Sequence, residues 1–304
     1  MKLQEFAREV QKKVAFMMGE EYQVSLNSVK KNNGVYFTGL MIKDYRFNLC
    51  PTIYLESFYE SFKEGKSLEK ICEKIKEIYY RDTLRDNLDF SFYKDYEKVK
   101  NRICYKLISV DRNRELLKDI PHIVYMDMAI CFYYSLEDAR MGNGSVLVQN
   151  THMDMWKVNT EKLFRTAQEN TPRLFPASLC SMEGILQSLI QDSGEEASEA
   201  LKEISDYDQL PMQVLSNTGS GFGATCMIYP GLLKTIAEKQ EKDFYILPSS
   251  VYEVILLTDD GKQSPLHLSE MVREINATQV QAPEVLSDSI YHFSREDKII
   301  RRIL

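Results

Sequence analysis

With 304 residues, 44% of them hydrophobic, the chain can bury a full core, and a prior of roughly 100–200 residues per domain predicts two or three domains. That size excludes a small fold dependent on disulfides or metal. A net charge of −7 argues against general affinity for phosphate backbones, and no apolar stretch approaches the ~20 residues of a membrane span.

Leu3, Phe6, Val10, Val14 and Met17 recur at three- and four-residue steps and predict an amphipathic helix ending near Gly19, without the unbroken apolar core of a signal peptide. A cytoplasmic protein is expected. The runs Tyr22 to Val29 and Val35 to Ile42 flank Asn33-Gly34, a strong hairpin signal, and Arg46 to Leu49 reads as a third strand before Pro51. Helical periodicity follows through Tyr54, Phe58 and Phe62, and Ser67 caps a further helix with the stripe Leu68, Ile71, Cys72, Ile75 and Ile78. The first unit therefore reads α-β-β-β-α-α. A charged, aromatic connection from Asp82 to Arg102 leads to a strand at Cys104 to Val110, where a domain border is placed.

In the middle unit, Met128 to Tyr134 and Ser145 to Gln149 are strand-like, joined by a turn with Gly142, Asn143 and Gly144, and a helix pattern runs from Val158 through Ala167. Pro172 and Pro176 bracket Arg173 and predict extended backbone over Asn170 to Pro176. The stretch Asp192 to Asp208 is rich in acids and reads as an exposed connector. The last unit offers strands at Met212 to Leu215 and Ala224 to Tyr229, a helix at Gly231 to Gln240, and strands at Phe244 to Leu247 and Val251 to Leu257. A helix opened by Ser264-Pro265 and a hairpin around Arg295, Glu296 and Asp297 close the chain. Strand-strand-helix recurs at Tyr22 to Glu64, Met126 to Glu169 and Met212 to Lys239. The fold class expected is α+β, with repeated strand-strand-helix units, mainly antiparallel sheets, and domains at 1–110, 111–205 and 206–304.

Residues 1–110 carry about 20 basic and 16 acidic side chains, against about 18 and 29 in the remainder. Alternating signs favour solvated helical surfaces. A basic binding face would need Lys12, Lys13, Lys30, Lys31 and Lys43 on one side, so nucleic acid is not an expected partner. Six scattered cysteines (Cys50, Cys72, Cys104, Cys131, Cys180, Cys226), with no CxxC pair and no nearby His, predict buried reduced thiols and no metal site.

Gly219, Gly221 and Ala224 match a degenerate dinucleotide-loop spacing, but the apolar run that follows reads as a strand, so a hairpin turn is expected and no cofactor. His152 and Asp154 form a possible acid-base pair, weighed against a capping box at Thr151 to Asp154. Asp127, set among apolar residues, must be hydrogen-bonded, protonated or exposed; a structural bond near Pro121 or to His122 is set against a functional acid. Ser249 and Ser250 follow Pro248 without a G-x-S-x-G elbow and read as a turn. Catalytic candidates are thus Asp127, His122 and His152; binding candidates are Asn150, Trp156, Arg173, Tyr229, Ser249 and Ser250.

Several segments together carry a resemblance: Asp119-Ile120-Pro121-His122-Ile123 running into Asp127-Met128-Ala129-Ile130; Asn150-Thr151-His152 with Trp156; Thr171-Pro172-Arg173-Leu174-Phe175-Pro176; Tyr229-Pro230-Gly231-Leu232-Leu233; Phe244 to Ser250; and Val285 to Tyr291. As a set they resemble a bacterial family of anaerobic Firmicutes defined only as a domain of unknown function. The stretch Asp127 to Trp156 is distantly similar to a second such family. The resemblance implies no activity or cofactor. With no nucleophile-base or metal constellation, the expected role is a non-enzymatic interaction or regulatory protein that binds a protein or small ligand; the alternative is a hydrolase or transferase with a site assembled from Asp127, His122, His152 and Arg173.

Overall fold

The computed structural model describes residues 1–47, 50–82, 91–138, 142–181, 212–219, 221–248 and 250–304. Two compact units emerge: Met1–Tyr93 with Glu137–Asn143, and Lys94–Leu136 with Gly144–Leu304. The secondary structure is α+β, and its sheets pair antiparallel throughout the described ladders.

The first unit begins with α1 (Leu3–Met18), ended by Gly19 at φ +89°, a conformation glycine adopts at no steric cost. Strands β1 (Tyr22–Lys30) and β2 (Tyr36–Asp44) form the hairpin signalled by Asn33-Gly34, both of which have positive φ. The third strand falls later than expected: β3 is Thr52–Tyr54, after Pro51. Arg46 instead turns back on Asp44, with its backbone N–H and its guanidinium both bonded to that carboxylate, at 2.9 Å and 2.7 Å. Residues 48 and 49 of the expected strand lie outside the described residues. Helices α2 (Glu56–Lys63) and α3 (Leu68–Asp82) follow, giving the anticipated α-β-β-β-α-α order. One sheet face, with Leu26, Leu40 and Ile53 in a row, packs on Phe6, Val10, Val14, Ile71 and Ile75 of the helices. The basic face posed above does not form. Lys12 and Lys13 lie on α1 against Glu9 and Glu69, whereas Lys43 pairs with Gln23 on the other side of the sheet.

The second unit opens with the short α4 (Tyr96–Val99) and β4 (Ile103–Ser109), then α5 (Arg114–Leu117), β5 (His122–Tyr125), and β6 (Met128–Asp138) and β7 (Gly142–Leu147) apart from their residues 137–138 and 142–143, which belong to the first unit. Strand β6 lies between β4 and β5 and also pairs with β7. After α6 (Asn150–Trp156), helix α7 (Thr160–Leu174) packs on β4. Here the expected extended segment is overturned: Pro172 sits inside the last turn of α7. At that position only one i→i−4 bond is forfeited, and the turn is held by Thr171, whose hydroxyl donates to Ala167 O (2.6 Å) and accepts the Tyr105 N–H of β4 (3.1 Å).

A six-stranded sheet completes the unit, in the order β13-β12-β10-β11-β9-β8. Its strands are β8 (Ala177–Ser181), β9 (Met212–Asn217), β10 (Phe244–Leu247), β11 (Val254–Thr258), β12 (Tyr291–Ser294) and β13 (Ile299–Arg302). Helix α8 (Leu232–Gln240) precedes β10, and α9 (Pro265–Thr278) packs Leu268 and Val272 on Tyr245, Leu247 and Leu257. All four residues of β10 are buried, which matches their unbroken apolar run. The expected strand Ala224 to Tyr229 is a second correction: residues Gly223–Ile228 form a 3-10 helix, buried from Gly223 to Met227. A short apolar run buried on all sides has no periodicity to separate strand from helix. The connector at 192–208 lies outside the described residues.

Candidate functional site

Pleating sends Ile123 and Tyr125 of β5 to one side of their sheet and His122 and Val124 to the other. On the Ile123 side, Ile130 of β6, Phe164 of α7 and Phe293 of β12 complete the floor of a groove of about 660 Å³. That volume lies within the ~300–1,000 Å³ usual for ligand sites. The 3-10 helix contributes Met227 and Ile228, the residue after it Tyr229, and α8 Leu233; the β12–β13 hairpin adds Lys298, Ile299 and Ile300. Among the described residues, Lys234 and Lys298 are the only charged side chains in this lining, and no carboxylate joins them. Lys234 stands 3.8 Å from exposed Glu238, a contact of little energetic weight.

The groove has two unusual supports. Met126 and Lys298 line it with left-handed backbone, φ +57° and +59°, uncommon for residues with a Cβ. Met126 belongs to the two-residue turn between β5 and β6, and the next residue, Asp127, anchors that turn. Ser287 Oγ donates to Asp127 Oδ2 and the Tyr291 hydroxyl to Asp127 Oδ1, each at 2.6 Å, while the Val110 N–H donates to its carbonyl at 3.0 Å. Burial first, then the bond to Asp127, raises the Tyr291 phenol above its ordinary value, so it remains a donor. Asp127 therefore carries a structural bond, as one expectation held, but to residues more than 150 positions away and not near Pro121 or to His122.

Tyr229 is buried, with its hydroxyl on Phe175 O at 2.9 Å and its ring 6.3 Å from that of Tyr105. Burial, followed by the neighbouring Cys226, pushes its phenol upward, and burial alone does the same to Tyr125. Both stay protonated near neutral pH and can donate hydrogen bonds, not accept a proton.

Of the residues singled out in the sequence, Tyr229 lines the groove; the others have separate settings. His122 Nδ1 bonds Ile120 O at 3.0 Å, so the proton sits on Nδ1, because a carbonyl only accepts. Asn150 donates to Lys118 O at 3.0 Å. Arg173 donates to Asn101 O (2.8 Å) and Asn170 Oδ1 (3.0 Å). Ser250 donates to Glu253 at 3.2 Å and accepts the Tyr252 N–H at 3.0 Å, a local turn; Ser249 lies outside the described residues. Trp156 is buried, 6.0 Å from Tyr96. No hydrogen bond described joins any two of Asp127, His122, His152 and Arg173, and none of the four lines the groove. Gly219, whose N–H donates to Asn217 Oδ1, and Gly221 precede the buried 3-10 helix, in place of the expected hairpin turn between strands.

The expected capping box at Thr151 is shifted. Helix α6 starts at Asn150, and the Gln149 N–H donates to His152 Nδ1 at 3.1 Å, so the imidazole caps the helix. Burial lowers the His152 pKa below 6.5. The neutral ring is the capping form, and stability from this group is complete above about 6.5 and lost as pH falls below it, because the unfolded chain takes up the proton first. An NMR titration should place the His152 midpoint below 6.5, with Gln149 amide protection lost on protonation; a midpoint above 6.5 would contradict the cap.

Among the described residues no group of three or more His, Cys, Asp or Glu side chains could hold a metal, and no helix is long and apolar enough to cross a membrane. Cys72, Cys104, Cys131 and Cys226 are buried free thiols, Cys50 is half-buried and Cys180 exposed. Burial pushes Cys104 and Cys131 up to about 12, far from a reactive thiolate. Sequence reasoning passed over Lys234, Lys298 and the Tyr125 to Met128 turn. Neither lysine stands in a motif, and the turn lacks the glycine or asparagine that marks such hairpins.

The chain belongs to a family of unknown function, DUF5688, whose model matches residues 3–295. No curated protein and no solved structure matches it.

Proposed function

We propose that the protein is a non-enzymatic, cytoplasmic binding protein whose second unit takes a small, largely apolar ligand bearing an acidic group. The observation that carries this reading is the composition of the groove: apolar Ile123, Ile130, Phe164 and Phe293, with Lys234 and Lys298 as the only charges among its described lining residues. An apolar ligand body gains about 25 cal/mol for each Å² removed from water. The two ammonium groups then select a carboxylate or phosphate end over a neutral or cationic one. The phenols of Tyr125 and Tyr229, held protonated, supply no base, which favours binding over chemistry.

Isothermal titration calorimetry with decanoate, decanol and decylamine below their aggregation concentrations tests the reading. Decanoate should bind with a negative heat-capacity change and raise the melting temperature, decanol should bind about ten-fold more weakly, and decylamine should not bind measurably. Lys234→Ala with Lys298→Ala should reduce decanoate to the affinity of decanol, a difference of about 1.4 kcal/mol. Equal binding of the amine and the carboxylate, or no binding of any of the three, would refute it.

A further inference from the structure

Among the described residues of the first unit, the helices pack on one face of the three-stranded sheet. Strand pairing fixes what stands on the other: Val29 beside Phe37, then Asn27, Gly39 and Tyr54 in one row, Ser25, Met41 and Thr52 in the next, and Gln23 beside Lys43. Core residues Leu26, Leu40 and Ile53 all have the opposite parity. The open face is neither an apolar patch nor a plain solvated one. Phe37 and Tyr54 are half-buried with ring centroids 5.6 Å apart, Lys31 Nζ lies 4.0 Å above the Tyr54 ring, and Lys43 lies 5.4 Å from the ring of Tyr45, which is 64% exposed.

Charge over this segment is one-sided. Residues 22–54 carry Lys30, Lys31, Lys43 and Arg46 against a single acid, Asp44, whose carboxylate is buried and bound by Arg46. Lys30 has the parity of Leu26 and the helix-covered face, which leaves Lys31 and Lys43 on the open face to meet an external anion. Amide and hydroxyl groups on the same face, from Asn27, Gln23, Ser25 and Thr52, match the edges of planar polar rings.

From this juxtaposition we infer that the open face of the N-terminal sheet binds single-stranded nucleic acid, with bases stacked on Phe37 and Tyr54 and phosphates held by Lys31 and Lys43. A sheet face that presents aromatic rings between cations suits unpaired bases, because every base offers a π-face and every linkage one negative charge. Duplex DNA is a poor fit, since its bases are already stacked and its surface asks for more cations than this face provides. Stacking on Tyr54 displaces the Lys31 ammonium, and its long stem returns the charge to the adjacent phosphate. The net negative charge of the chain is no obstacle, because the one acid of residues 22–54, Asp44, is buried and paired with Arg46.

Fluorescence anisotropy with a labelled twelve-nucleotide oligo(dT), titrated with the full chain at several salt concentrations, tests the inference. Binding should weaken with salt at a log–log slope of about −1.4, as expected for two phosphate contacts on a single strand. Tyr54→Ala and Phe37→Ala should each weaken it about ten-fold, Lys31→Glu should do so without touching the sheet core, and Arg165→Glu on the second unit should leave it unchanged. Circular dichroism confirms that each variant is folded, and Lys31→Glu serves if an aromatic variant is not. Absence of binding at 100 µM protein, equal affinity for polyglutamate, or indifference to these substitutions would overturn the proposal.

Discussion

Asp127→Ala is expected to lower the stability of the second unit by about 3 kcal/mol, read as a shift in urea midpoint at unchanged slope. Two short hydroxyl bonds end on its carboxylate, and both donors come from the last fifth of the chain. Tyr291 is fully buried and Ser287 is 3% exposed, so neither hydroxyl can turn to bulk water when its acceptor is removed. Each loses an interaction with a carboxylate worth ~1.5–3 kcal/mol, partly recovered because the two hydroxyls stand 2.9 Å apart. Asp127→Asn keeps one oxygen acceptor and should fold with a smaller loss, as should Tyr291→Phe, and the double variant Asp127→Ala with Tyr291→Phe should be far from additive. A loss under about 1 kcal/mol for the alanine variant, or strict additivity, would show that the carboxylate does not hold the turn.

Gly223→Ala should be among the most damaging glycine-to-alanine changes at the described positions, costing about 3 kcal/mol or preventing folding. A Cβ at this position would overlap the Ser216 hydroxyl and the Tyr252 carbonyl, which themselves share a 2.8 Å hydrogen bond. The Ser216 hydroxyl could rotate away, but the Tyr252 carbonyl and the Asn217 amide are backbone and cannot yield without moving β9 or the Tyr252 turn. Two residues earlier, a Cβ at Gly221 would meet nothing within 4 Å, and Gly221→Ala should be close to neutral. Thermal melts of the two variants side by side decide the matter; comparable effects would mean that the helix rides farther from β9 and β11 than the structure places it.

Legibility followed the range of the interactions involved. Asn33-Gly34, Gly19 and Ser264-Pro265 act within a few residues of themselves, and each marks the boundary it announced in the sequence. Pro172 misled because its usual effect on helices is weakest in a final turn, and what keeps that turn helical is a bond between Thr171 and a strand 66 residues away. Ala224 to Tyr229 has strand-like composition, yet its burial against β9, β11 and β4 is set by Gly223, whose role is visible only in three dimensions. The groove was the least legible feature. Its lining is drawn from positions between Ile123 and Ile300 that share no local pattern, and Asp127 stood out as costly to bury while its partners at Ser287 and Tyr291 could not be paired with it from spacing.

Left-handed backbone at Met126 and Lys298 places local strain on two residues that line the groove. An L-residue in that region gives up on the order of 1 kcal/mol relative to glycine, so both are local departures from the most stable sequence for this fold. Glycine at either site would relieve the backbone and erase a side chain that the cleft presents: a thioether at 126, an ammonium at 298. Robustness and recognition therefore pull in opposite directions at these two positions, and engineering the chain for heat resistance through them would blunt the cleft in the same stroke.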